Sequence, residues 1–186
     1  MTQSRRTASG SPKSFRDSSK AMMTDSKSLS LRLASLSDLR TVNGLIERAI
    51  DTWGLPERVK RLCMPLYRYC EYDLECLELV VAEAEGSAIV GVAAWEQADP
   101  GDVPVGQIAL LLHGIYVAPD QHRNGIGTRL FEAAEKAAAS RGFDGVLVKA
   151  QPGAEHFFRA RGLERLAVED HRRDYPHRFW KPVKRG

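Results

Sequence analysis

The sequence has little cysteine and no long hydrophobic run. Its three cysteines, Cys63, Cys70 and Cys76, include no closely spaced pair of the kind that binds zinc, and we interpret them as free thiols in a reducing compartment. No stretch approaches the roughly 20 apolar residues of a membrane helix, and residues 1–28 contain no apolar segment typical of a signal peptide. These absences predict a cytoplasmic protein that binds no metal and does not enter a membrane.

The sequence also lacks a strong charge of either sign. Its 27 Lys and Arg residues nearly balance 24 Asp and Glu residues, for a net charge of +3 over 186 residues. The concentrated basic stripe of a nucleic-acid binder is missing, which argues against a nucleic-acid partner, whereas the small positive surplus weakly favours an anionic ligand. The length favours a single domain with a hydrophobic core of its own.

Residues 1–28 differ in composition from the rest of the chain. They are rich in Ser, Lys and Arg and contain almost no large aliphatic residues. Such a segment cannot bury enough apolar surface to offset the entropy lost on ordering. We therefore predict a disordered segment over residues 1–28 and one folded domain over residues 29–186.

The hydrophobic pattern of the first half predicts strands and helices in alternation. A first strand around Leu31 precedes a helix that Ser37 or Asp38 can cap, and Pro56 can open a second helix that runs to about Tyr72. Two apolar runs then flank Glu85-Gly86-Ser87, as in a β-hairpin.

The second half continues the pattern of a mixed α/β domain. Residues 106–117, GQIALLLHGIYV, are almost wholly apolar, as expected for a central strand. A helix over residues 127–142 follows, and then strands are predicted in GVLVKA, LERLAV and HRFWKPV, with a short helix in GAEHFFRARG. The resulting order is β-α-α-β-β-β-α-β-α-β with a further strand at the end.

A loop containing two glycines, Gly125 and Gly127, precedes the strongest predicted helix. Backbone N–H groups are unpaired at a helix N-terminus, the helix dipole is positive there, and glycines let an anion approach the backbone closely. A P-loop is excluded because Thr128-Arg129 follows Gly127, and a dinucleotide fingerprint is excluded because Leu130 occupies the third glycine position. A phosphate site and a simple tight turn both remain open at this point.

Two motifs resemble those of the GNAT superfamily of acyl-CoA-dependent N-acyltransferases. LHGIYVAPDQHRNGIGTRLFEAA is similar to its pyrophosphate-binding motif, and VLVKAQPGAEHFFRARGL is similar to its second motif. The resemblance extends over roughly residues 30–183. It implies a single GNAT-like α/β domain, with a mixed, mostly antiparallel sheet of six to seven strands flanked by about four helices.

The resemblance assigns acetyl-CoA as co-substrate and implies how the chain binds it. Backbone N–H groups of the loop would hold the pyrophosphate, the end of the central strand would splay away from VLVKA to admit pantetheine, and a strand N–H would stabilise the oxyanion. The residues implied at this site are Ile115, Tyr116, Val117, His122, Arg123, Asn124, Gly125, Ile126, Gly127, Thr128, Gln151 and Phe158.

Three positions depart from the family pattern. His122 stands at the Gln/Arg position of the first motif, and Gln151 replaces the Asn of the second motif. Phe158 occupies the position where many members have a tyrosine that is proposed to protonate the departing thiolate. Since phenylalanine donates no proton, another donor or water serves, or no acid is needed, or the domain is not a catalyst.

His113 and Glu96 are the candidates for the general base. Strand alternation predicts that His113 faces the same side as Ile115 and Val117, and an imidazole is a suitable base at neutral pH. Glu96 ends the preceding strand. A histidine bonded within the core and a solvated strand-end carboxylate are the alternatives for these two residues.

The function that the resemblance implies is transfer of acetyl from acetyl-CoA to a primary amine by direct attack in a ternary complex. A non-catalytic acyl-CoA-binding module is the alternative, and an RNA-linked acceptor is a weaker one. In this family the first two helical regions usually wall the acceptor pocket, and here they contain Trp53, Arg58, Arg61, Tyr67, Tyr69 and Glu71. This mix of aromatic and arginine side chains would suit a polar or acidic small molecule, and plain helix packing with a solvated outer face is the alternative. Dimers are common in the family, so the resemblance allows a homodimer.

Overall fold

The computed structural model describes residues 29–184, so the predicted disorder of residues 1–28 lies outside the described residues. A seven-stranded sheet has the order β1-β2-β3-β4-β5-β7-β6, in which only β4 and β5 are parallel neighbours. Its strands are β1 Ser30–Leu33, β2 Glu78–Ala84, β3 Ala88–Gln97, β4 Ala109–Val117, β5 Gly145–Lys149, β6 Glu164–Arg165 and β7 Arg178–Pro182. This topology confirms the predicted mixed, mostly antiparallel sheet.

Five α-helices flank the sheet within residues 29–184. They are α1 Leu39–Asp51, α2 Glu57–Cys63, α3 Glu71–Cys76, α4 Ile126–Ser140 and α5 Glu155–Arg159. Helix α4 packs on one face through Leu130, Phe131 and Ala134, and α1 packs on the opposite face through Leu45 and Ile46. Both faces of the central strands are therefore covered, which explains the long apolar run of β4.

Strand β4 separates from β5 halfway along its length. The two strands pair only from Ala109 with Gly145 to Leu112 with Val148. Beyond Leu112, β4 continues to Val117 with β3 as its neighbour on the other edge. The predicted gap between these strands is thus present, and it opens directly in front of the N-terminus of α4.

The structure corrects three local predictions. The helix predicted from Pro56 to Tyr72 is divided into α2, a 3-10 turn over Met64–Leu66 and α3, because Pro65 cannot continue the α-helical hydrogen bonding. The predicted cap is corrected in part: Asp38 is the N-cap of α1, but its side chain makes no capping bond to α1. Ser35 instead opens a 3-10 turn over Leu36–Asp38, and its N–H donates to Asp38 at 2.7 Å in a capping box. The strand predicted in LERLAV contains only Glu164–Arg165.

Candidate active site

A cavity of about 910 Å³ occupies the gap between β4 and β5. It is lined by the end of β4, by the loop and first turn of α4, and by residues between Val148 and Arg161. On the α1 side it is lined by Ala49, Thr52, Trp53 and Tyr67. Its volume is in the range of cofactor and small-molecule sites. The cavity therefore joins the glycine-containing loop to the face of the sheet on which α1 packs.

The glycine-containing loop presents a series of backbone donors to this cavity. Gly125 is the N-cap of α4 with φ of 76°, and Arg123 also has a left-handed φ of 67°. Among the described residues, none of the N–H groups of residues 123–128 donates to a protein acceptor. A helix N-terminus with free N–H groups and a positive dipole end is suited to bind an anion.

Gly125 and Gly127 serve different purposes. A side chain at Gly125 would meet no atom within 4 Å but would require the left-handed backbone that glycine adopts without strain. A Cβ at Gly127 would lie 3.1 Å from the Phe157 ring and 3.8 Å from Ile115. The second glycine thus lets α4 pack closely on α5 and β4, and the first allows the turn that aims the N–H groups.

Cationic side chains surround the cavity, and no Asp or Glu within residues 29–184 lines it. The cations include Arg123, Lys149 and Arg161. Arg161 lies over the Phe157 ring at 3.5 Å from its centroid and bonds the hydroxyl of Thr128 in the first turn of α4. Burial lowers the pKa of Arg161, and its Nε has no partner among the described residues.

Arg161 is a site residue that the sequence motifs do not reveal. It occupies a variable position, just before Gly162 of the second motif. Only the packing of α5 against the start of α4 brings its guanidinium beside Thr128. Its contact with this first turn places a fixed positive charge beside the unpaired N–H groups of residues 123–128.

His113 does not face the side predicted from strand alternation. The register of β3 against β4 skips this residue, which forms a β-bulge. Leu112, Ile115 and Val117 therefore all pack in the α4 cluster, although residue 112 and residue 115 would face opposite sides of a regular strand. The prediction that His113 shares a face with Ile115 and Val117 is wrong, and the physical reason is the bulge.

The two predicted base candidates instead lie together. His113 Nε2 lies 2.7 Å from Glu96 Oε1. Glu96 follows Trp95, which packs toward α4, so its own side chain projects to the α1 face. The side chains are 35% and 40% exposed, so the pair is open to solvent, and His113 lines the cavity.

Tyr116 lines the cavity, and its ring packs against Gly114 on the α1 face of the sheet. The ring is buried in the α1 cluster, and burial raises its pKa. His122 Nε2 lies 3.1 Å from the carbonyl oxygen of Val117, which fixes the start of the loop on the end of β4. Asn124 Nδ2 donates to Gln121 Oε1 at 3.3 Å, a hydrogen bond between two residues of the same loop.

Phe158 and Gln151 occupy different environments. Phe158 is 4% exposed and packs edge-on against Phe131 in the core, so it offers the cavity only part of an apolar ring. Gln151 Nε2 donates to the hydroxyl of Tyr67 at 2.6 Å. This bond connects the segment after β5 with the segment after α2, across the gap.

The described part of the chain contains neither a cluster of metal-ligating side chains nor a helix that could span a membrane. Within residues 29–184, no group of three or more His, Cys, Asp or Glu side chains is arranged to hold a metal ion. The helices of the same region are all too short or too polar to cross a membrane.

A protein-family model, described as the acetyltransferase (GNAT) family, matches residues 45–163, which are more than half of the chain. The match includes β4, the glycine-containing loop, α4 and the second motif. The chain therefore belongs to the GNAT acetyltransferase family, as the sequence resemblance predicts. No curated protein matches the chain significantly.

Solved structures share this fold at low sequence identity. The PaiA N-acetyltransferase from Thermoplasma acidophilum, in complex with coenzyme A, is 16% identical with a TM-score of 0.66, and the alignment covers 84% of the present chain and 99% of that protein. A GNAT acetyltransferase from Brucella melitensis, in complex with acetyl-CoA, is 15% identical with a TM-score of 0.59 and coverages of 85% and 90%. AtaT, complexed with acetyl-methionyl-tRNAfMet, is 12% identical with a TM-score of 0.55 and coverages of 83% and 95%.

Proposed function

We propose that this acyltransferase transfers acetyl from acetyl-CoA to a primary amine by direct attack in a ternary complex. The proposal depends above all on the unpaired N–H groups of residues 123–128, which line a cavity that continues into the gap between β4 and β5. Family membership supports acetyl-CoA as the co-substrate.

The pyrophosphate of acetyl-CoA would bind the N-terminus of α4. Its oxygens would accept hydrogen bonds from the N–H groups of residues 123–128, and Arg161 would add a charge-assisted contact beside Thr128. Pantetheine would then lie along the edge of β4 that β5 leaves unpaired beyond Leu112. The thioester would thereby reach the region of Gly114–Val117, at the inner end of the cavity.

The amine would arrive from the α1 face. His113 lines the cavity on that face, and its bond to Glu96 leaves Nδ1 available to accept a proton from the amine, directly or through water. The nitrogen would then attack the thioester carbonyl, and a backbone N–H of the Ile115–Val117 segment would stabilise the oxyanion. Glu96 would orient the imidazole and stabilise its protonated form.

The cavity lining favours one class of acceptor. Because no carboxylate lines the cavity among the described residues, a polycation would have no partner for its second charge. Trp53 and Tyr67 form an edge-on aromatic pair with ring centroids 5.5 Å apart at the α1 end of the cavity. We expect an acceptor with one amine and an apolar or aromatic body, such as an aromatic or aliphatic amino acid or its derivative.

A second candidate function is acyl-CoA binding without turnover, which the buried Phe158 favours because it donates no proton.

Cys63, Cys70 and Cys76 are free thiols, which suits the reducing cytoplasm in which we propose that the protein acts.

Thiol release from acetyl-CoA tests the proposed function. The full chain would be assayed with a panel containing the amino acids, their amides, short peptides and spermidine. Faster release with an apolar or aromatic monoamine than with spermidine, together with the acetylated amine by mass spectrometry, supports the proposal. Acetyl-CoA binding without release for any amine would support the binding-module candidate instead.

A further inference from the structure

Tyr67 spans the gap in which the thioester would react. Its ring packs edge-on against Tyr116 of β4, with centroids 6.4 Å apart, while its hydroxyl reaches Gln151 after β5. It belongs to the segment between α2 and α3, and it lines the same cavity as Gly114 and Phe158. The Tyr67 side chain therefore contacts β4 through its ring and the segment after β5 through its hydroxyl.

The direction of the hydrogen bond leaves the phenol proton free. The amide nitrogen of Gln151 donates to the Tyr67 oxygen, so this bond uses a lone pair of the phenol and not its proton. Within residues 29–184, the Tyr67 hydroxyl donates to no protein acceptor. The O–H group is therefore available to a ligand in the cavity.

We propose that Tyr67 is the catalytic acid that protonates the departing CoA thiolate, in place of the side chain that Phe158 cannot supply. This inference rests on the proposed acetyl transfer. A phenol from the α2–α3 segment thus enters the gap from the opposite side to α5, and Gln151 positions it by donating to its oxygen.

In the proposed acetyl transfer, the C–N bond that forms is matched by the C–S bond that breaks, and each proton has a donor and an acceptor. The amine nitrogen forms the new C–N bond, and His113 takes the proton that the amine loses. The C–S bond then breaks, its electron pair goes to sulfur, and sulfur takes the proton of Tyr67. Gln151 stabilises the resulting phenolate through its N–H, and water returns a proton to the phenol between turnovers.

The surroundings of Tyr67 keep its phenol protonated before the step. Burial raises its pKa, and Cys63 of α2 and Tyr175, which precedes β7, act in the same direction. Each of these groups disfavours a negative charge on the phenol oxygen. The donor form therefore predominates at neutral pH.

The test compares Tyr67→Phe with Tyr69→Phe in thiol release, with acetyl-CoA and the amine that reacts fastest in the panel. Tyr69 lies in the same segment but does not line the cavity, so its variant controls for loss of a phenol. We expect Tyr67→Phe to lower kcat about 100-fold, with the KM and calorimetric Kd for acetyl-CoA nearly unchanged. An unchanged kcat, or a higher KM with the same kcat, would overturn the assignment.

If Tyr67→Phe does not fold, a second variant tests the role of the Tyr67 hydroxyl. Incorporation of 3-fluorotyrosine at position 67 retains the ring and the hydroxyl but makes the phenol more acidic. The basic limb of the kcat–pH profile should then move to lower pH, whereas a limb that stays in place would contradict the role. If the unmodified protein binds acetyl-CoA and acetylates no amine, the proposed transfer fails and the role of Tyr67 fails with it.

Discussion

His113 Nε2 and Glu96 Oε1 lie 2.7 Å apart, at the point where β3 and β4 shift register. His113 follows Leu112, which faces α4, so the imidazole lies on the same side of the sheet as the carboxylate, and the bulge accommodates it before Ile115 returns to the α4 face. The two residues thus form one unit, in which the imidazole faces the cavity and the carboxylate holds it. We propose that this unit accepts the proton of the attacking amine.

Replacing His113 by alanine should lower kcat/KM by about 100-fold or more, because general bases contribute about 10²–10⁴-fold. Steady-state kinetics with the fastest amine of the panel measures the loss. His171, exposed in the loop between β6 and β7, provides the matched control as His171→Ala.

Glu96→Gln should lower kcat/KM less than His113→Ala but in the same direction, because the amide can still orient the ring without stabilising its charge. Combining the two substitutions should add little to His113→Ala alone, since the residues act as a pair. Additive losses would contradict the paired base.

Gly125→Glu should reduce the affinity for coenzyme A at least about 100-fold, because one or two lost charge-assisted hydrogen bonds of about 1.5–3 kcal/mol each are sufficient. The new carboxylate would also repel the pyrophosphate. Gly86→Glu is the matched control, because Gly86 has a similar φ of 82° and open surroundings in the β2–β3 turn. Equal losses in both variants would point to backbone strain and away from the loop.

Arg161→Ala should weaken coenzyme A binding by about 10-fold, which corresponds to about 1.4 kcal/mol. The guanidinium beside Thr128 contributes a charge to the proposed phosphate site, and this contribution should fall as salt is added. Arg159→Ala removes a neighbouring arginine that lies over Phe179 and does not line the cavity. Calorimetric affinities that are the same for the two variants would remove Arg161 from the site.

Asp38→Asn should lower the free energy of unfolding by about 1–2 kcal/mol at neutral pH, through the lost N-terminal cap and the lost bond to Arg32. Arg32 lowers the pKa of Asp38, so this stabilisation is present above the ordinary aspartate pKa of about 4 and disappears as pH falls through the lowered value.

Urea unfolding between pH 7 and pH 3 should therefore find a difference between wild type and Asp38→Asn that shrinks toward acid. Asp51→Asn at the exposed end of α1 should change stability by less than about 0.5 kcal/mol. A difference for Asp38→Asn that is constant over this pH range would contradict the account.

The strands, the turns and the start of α4 could be predicted because their signals are local. The apolar run of β4, the turn at Gly86 and the glycines before α4 each determine backbone structure within a few residues. The helix predicted from Pro56 to Tyr72 takes no account of Pro65, which lies in the 3-10 turn that divides it.

The candidate catalytic contacts depend on pairings that periodicity does not encode. The bulge at His113, which lies beside Glu96, arises from the register between two strands. Likewise, Tyr67 meets Gln151 across 84 residues of sequence, and Arg161 meets Thr128 across 33. The sequence therefore identifies His113 and Glu96 as candidates, and the three-dimensional fold adds Arg161 and decides which residues can act together.

Isothermal titration of the full chain with acetyl-CoA, and then with coenzyme A, tests the central claim most directly. If the N–H groups of residues 123–128 hold the pyrophosphate, both compounds should bind with micromolar affinity, and Gly125→Glu should bind neither. If wild type binds neither compound, the loop is only a turn at the start of α4, and the proposed transfer and the role of Tyr67 are both contradicted.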